Sequence, residues 1–184
     1  MRITLLSTCL ALLLSASAAL ASDFTLSSPD MTEGGMLSAV QVYKGFGCDG
    51  DNRSPALNWT APPAGTRSFA LTVYDPDAPT GSGWWHWVVF NIQATERALP
   101  AGAGAADGKA LPAGVVQSRT DFGTPGFGGA CPPSGDAAHR YIFTLHALDT
   151  EQLDLPQDAS AAMVGFMLGQ HTIAKATLTA RYGR

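Results

Sequence analysis

Hydrophobic residues with a period of two, interrupted at short intervals by proline and glycine, set the fold class of this chain. In residues 68–74, Phe69, Leu71 and Val73 fall on one face of an extended segment, which stops at Asp75-Pro76 because proline cannot donate to a sheet ladder. Residues 85–92 are apolar almost throughout, the pattern of a strand covered on both faces. In residues 139–148, His139, Tyr141, Phe143 and Leu145 alternate with Arg140, Ile142, Thr144 and His146. A final strand is predicted with Ala174, Ala176, Leu178, Ala180 and Tyr182 facing one way. Helical period shows once: after a cap at Asp158 or Ser160, residues Met163, Phe166, Met167 and Gln170 share a face. Residues 98–114 are mostly Ala, Gly and Pro, and read as an exposed, mobile loop without chemistry. Many short strands and one or two short helices define a mainly β fold, an antiparallel β-sandwich.

The first residues have a different character. Met1-Arg2 precedes an apolar stretch over residues 3–14, followed by Ala19-Leu20-Ala21, which is the pattern of a secretory signal peptide cleaved before Ser22. The stretch is shorter than the ~20 apolar residues of a membrane span. A lipid anchor on Cys9 fits poorly, since Thr8 precedes it. Residues 22–184 are then one domain, periplasmic or secreted, with 10 basic against 15 acidic residues and a net charge of −5. Without a basic run, nucleic acid is not an expected partner. Export puts Cys48 and Cys131 where a disulfide persists, and they are expected to pair; no CxxC spacing points to a metal.

Two segments carry polar residues suited to chemistry. Asp75-Pro76-Asp77-Ala78-Pro79 lies between two strands, the second opening near Trp85-His86. If these strands pair antiparallel, Asp75 and His86 meet at one sheet edge. Equally, Asp75 and Asp77 can cap their own turn. In the second segment, 131–141, a Pro/Gly loop containing Pro132 and Pro133 delivers His139 to a strand entrance with Tyr141 beside it on the same face. An imidazole and a phenol side by side can donate to a phosphate oxygen, with a carboxylate such as Asp75 orienting the ring. A lone histidine at a strand end is also commonly structural. His146 and His171 are expected to be structural or exposed.

Taken together, Asp75-Pro-Asp-Ala-Pro79, Trp85-His86 and Pro132-Pro133 followed by His139-Arg140-Tyr141 resemble the phosphatidylethanolamine-binding protein family. Phe46-Gly47-Cys48, Ser54-Pro55-Ala56-Leu57, Asp121-Phe122-Gly123 and Gly128-Gly129 are similar to its bacterial branch, the Raf-kinase-inhibitor-like proteins. The resemblance implies a Greek-key β-sandwich with a small pocket for phosphate, acetate or a phospholipid head group. Its ligand-binding residues would be Asp75, Pro79, His86, Pro132, His139 and Tyr141, with Trp85 alongside in place of a second histidine found in eukaryotic members.

The leading expectation is therefore an exported, non-catalytic binder of a small phosphorylated or carboxylated ligand, acting on another protein through that pocket, with no cofactor. Homodimerisation is left open. Two alternatives are a secreted protease or kinase inhibitor, which would need an exposed apolar insertion loop, and a metal-assisted hydrolase with Asp75, His86 and His139 as zinc ligands. N-terminal sequencing of the protein recovered from its producing cell should begin at Ser22; a product that starts at Met1 would refute export by this route.

Overall fold

The computed structural model describes residues 24–184, so the signal peptide and its cleavage site lie outside the described residues. The elements in chain order are β1 (Thr25–Ser27), a 3-10 turn (Ala39–Gln41), β2 (Lys44–Gly45), β3 (Cys48–Asp49), β4 (Leu57–Thr60), β5 (Ser68–Asp75), β6 (Trp84–Gln93), β7 (Ala98–Leu99), β8 (Val116–Gln117), β9 (His139–Leu148), α1 (Ala161–His171) and β10 (Thr172–Tyr182). Five strands form one antiparallel sheet in the order β10-β9-β5-β6-β8. A three-stranded sheet, β1-β4-β7, stands apart from it, and β2 and β3 form a small hairpin. The fold is thus mainly β, as the period-two segments imply.

The five-stranded sheet is covered on both faces, which accounts for the apolar character of β6. On one side Phe69, Leu71, Val73, Trp87, Phe143 and Leu145 join Leu57 and Trp59 of the small sheet in a single core. Trp59 meets Phe69 edge-on at 5.6 Å between ring centroids. On the other side Ala70, Val88, Phe90 and Leu148 pack under Val164 and Leu168 of α1. Each fully buried large apolar side chain contributes about 1.5–3 kcal/mol by leaving water, so these two layers dominate stability.

Two sequence expectations are corrected here. The face of α1 that packs is Ala161, Val164 and Leu168, capped by the Ser160 hydroxyl accepting from the Met163 amide, whereas Met163 and Phe166 are 49% and 68% exposed. Alanine at 161 counted for little in the periodicity, yet it is buried in the layer between the helix and the sheet. Residues 98–114 are not wholly an exposed loop: Leu99 pairs opposite Leu57 of β4, and Ala103 is fully buried. The amide of Gly104 donates to the Ser54 hydroxyl at 2.9 Å, so the segment is held down by backbone bonds rather than by large side chains.

Among the described residues no helix is long and apolar enough to cross a membrane. His146 lies buried in the second layer, its Nδ1 3.2 Å from the Thr172 hydroxyl and its strand neighbour Lys175 opposite in register. Burial, helped by Lys175, pushes its pKa from 6.5 down to about 4. Between those values the unfolded chain binds a proton that the folded chain refuses, so stability is complete above about pH 6.5 and falls as the pH drops towards 4. Urea titrations across that window should show the loss, and His146→Gln should remove up to about 3 kcal/mol of it. Equal acid sensitivity in the variant would refute this assignment.

Candidate functional site

The pocket forms where β5 ends and β6 and β9 begin. Antiparallel pairing sets Asp75 of β5 opposite Trp84 of β6, and Tyr74 opposite Ile142 of β9, so the inward residues of three strand ends converge. They line a cavity of about 180 Å³ with Pro79, Pro132, His86, His139, Tyr141 and Asp75 among its walls. All but one of the residues that the sequence resemblance implies therefore reach the cavity; Trp85 does not.

The exception has a local cause. Val73 pairs with Trp87 and the next residue, Tyr74, with Trp85, so His86 is the extra residue of a β-bulge. The bulge turns His86 to the same side as Trp87 and carries Trp84 after it. Trp85 is thrown to the opposite face, where its ring lies 4.4 Å from that of Tyr74 and packs against the α1 layer. Strict alternation from Trp87 would have put Trp85 inward, and nothing in the side chains marks the inserted residue. Trp84 takes its place as a wall of the cavity.

Asp75 organises the floor. It is 3% exposed, and its Oδ1 accepts from the amides of Asp77 at 2.8 Å and Ala78 at 3.1 Å, closing the Asp-Pro turn. Its Oδ2 accepts from His139 Nδ1 at 2.8 Å. The two sequence readings, turn cap and imidazole partner, are both realised by one carboxylate. The His139 Nε2 lies 3.5 Å from Asp136, a residue that sequence reasoning did not single out. Beside the turn, Asp77 accepts from Arg140 Nε at 2.9 Å and Nη2 at 2.6 Å, which holds its carboxyl near pKa 2 and fixes the turn from outside.

His86 is positioned from the other wall. Its Nδ1 lies 2.7 Å from the carbonyl oxygen of Gly128, and the Gly128 amide donates back to the His86 carbonyl at 2.8 Å. A carbonyl only accepts, so Nδ1 carries the proton. The ring of Phe122 abuts both His86 and Trp84 edge-on, each at 5.4 Å, and occupies the space a side chain at Gly128 would need. Burial, the largest influence, pushes the His86 pKa down despite the opposing carbonyls and Asp75.

Tyr141 is 2% exposed, its ring centroid lies 5.0 Å from that of His86, and among the described residues its hydroxyl meets no hydrogen-bond acceptor. Burial pushes its pKa far above the usual phenol value, so it is an O–H donor at any physiological pH. A buried hydroxyl left without any partner costs about 1–3 kcal/mol.

The rim is fastened twice. Cys48 and Cys131 are bonded, joining the β2–β3 hairpin to the loop that ends in Pro132 and Pro133. Arg184 donates from Nε to the Pro132 carbonyl at 2.7 Å and from Nη1 to the Gly47 carbonyl at 3.0 Å. Phe46, 68% exposed at the hairpin tip, is thereby held beside Tyr43 and Phe122, 5.3 Å and 6.0 Å away between ring centroids. Among the described residues no group of three His, Cys, Asp or Glu side chains stands close enough to hold a metal ion. Of the three residues the hydrolase alternative needs, Asp75 is engaged by the turn amides and by His139.

The described residues thus form an antiparallel β-sandwich with a small, polar-floored pocket at a sheet end. The pattern of residues 27–183 matches the family described as phosphatidylethanolamine-binding protein. The chain belongs to that family. It is 50% identical to the UPF0098 protein YbcL of Escherichia coli over 182 residues, covering 99% of this chain and 98% of YbcL, and 55% identical to YbhB of the same organism over 157 residues, 85% and 98% of the two. The crystal structure of YbcL, titled as a new member of the mammalian family, superposes with a TM-score of 0.87 over 89% of this chain and 99% of its own at 52% identity. A homologue from Chlamydia trachomatis, CT736, gives 0.73 at 28% identity, covering 88% and 97%.

Proposed function

We propose that this protein is an exported, non-catalytic binding protein whose pocket receives a phosphate, a carboxylate or the head group of a phospholipid. The observation that carries the reading is the buried hydroxyl of Tyr141, without an acceptor among the described residues, sharing a mostly apolar cavity with the imidazoles of His86 and His139. Such a cavity, apolar in its walls with a few convergent polar groups, is the usual form of a small-molecule site. At about 180 Å³ the cavity is of the scale of a small head group. The carboxylate of the floor is engaged by His139 and two amides, which favours holding a ligand over activating a nucleophile. Export is supported by the signal-peptide pattern and by a disulfide, which persists in oxidising compartments.

Titration calorimetry with inorganic phosphate and with phosphoethanolamine tests this reading. Wild type should bind, and Tyr141→Phe should weaken binding about tenfold to a hundredfold, as expected for one hydrogen bond to a charged group. The same variant should be no less stable than wild type in urea, because it removes a buried hydroxyl that meets no acceptor among the described residues. No heat with wild type, or equal affinity in the variant, would refute the anion pocket.

A further inference from the structure

The cavity has an unusual charge inventory for a site that takes anions: among its described lining residues there is neither lysine nor arginine. Beside Asp75, Thr80 and His139, two of its polar groups have roles set by their surroundings, one a donor and one an acceptor. The donor is the Tyr141 hydroxyl, buried and without an acceptor among the described residues. The acceptor is His86 Nε2, because the Gly128 carbonyl holds the ring's proton on Nδ1. The two rings stand 5.0 Å apart between centroids, so one tetrahedral or planar acid group can meet both.

From this pairing we infer that the pocket selects the protonated form of an oxyacid, a hydrogen phosphate monoester or an un-ionised carboxylic acid, whose acidic O–H donates to His86 Nε2 while another of its oxygens accepts from Tyr141. The inference rests on the anion-pocket reading and adds to it the protonation state of the ligand. An oxyanion without a proton would set a lone pair against the lone pair of Nε2, a contact with no hydrogen in it. The alternative is that the ring itself takes up a proton when a bare anion arrives. The groups facing His86 are Asp75 at the end of β5, His139 and Tyr141 on β9, and Asp121 beside Phe122. The two acids favour a charged ring, but burial opposes it and is the larger influence.

Proton uptake by ring or by ligand gives the same pH dependence for a phosphate, so the discriminating comparison is between two ligands of equal charge. Methyl hydrogen phosphate and methyl sulfate are both monoanions of nearly the same shape, and only the first carries an acidic O–H. At about pH 5, below the second ionisation of a phosphate monoester near 6, calorimetry on the mature protein should show methyl phosphate binding at least about tenfold more tightly. As the pH is raised towards about 8, its affinity should decline as the dianion replaces it. In Tyr141→Phe the preference should survive at lower overall affinity, and in His86→Ala it should vanish. Equal binding of the two ligands by wild type overturns the proposal while leaving the anion pocket intact. Binding of neither overturns both.

Discussion

The Asp75 carboxylate is the interaction on which the pocket depends. Buried at the end of a central strand, it closes the turn that follows and orients His139 on the neighbouring strand. A charge in that position would be costly if unpaired, and three donors within 3.1 Å supply the compensation. One side chain therefore links the chain reversal after β5 to the first residue of β9. Arg140, next to His139, repeats the link from outside through Asp77.

Around this anchor the rest of the site is assembled by backbone irregularity. A single inserted residue in β6 turns His86 into the cavity, and a glycine at 128 leaves room for Phe122 while its carbonyl accepts a hydrogen bond from His86 Nδ1. The disulfide and Arg184 then fix the opposite rim, tying the prolines of the 131–133 loop to the Phe46 hairpin. Family membership and the close match to YbcL agree with this architecture.

Much of this was legible in the sequence. The period-two segments are strands, the continuous run in β6 is doubly covered, and Asp75, His86, His139 and Tyr141 do come together. What escaped has physical causes. The resemblance placed Trp85 beside the pocket, but a bulge at His86, which leaves no trace in residue type, turns Trp85 away and Trp84 inward. The packed face of α1 uses alanine, valine and leucine, while the larger Met163 and Phe166 point outward, so side-chain size misled the periodicity. Residues 98–114 are anchored through buried amides and Ala103, which composition does not reveal. Phe122 and Gly128 appeared only within motifs, and their role as the wall behind His86 emerges once the two segments are in contact.

The central claim is that Tyr141 and His86 face the pocket as a donor and an acceptor. Long-range nitrogen–proton correlation spectra of the imidazole rings in the ligand-free protein at neutral pH test it most directly. The account predicts a neutral His86 ring with its proton on Nδ1 and a bare Nε2, because the Gly128 carbonyl can only accept. A proton on Nε2 of His86, whether in the other tautomer or in a doubly protonated ring, would contradict it.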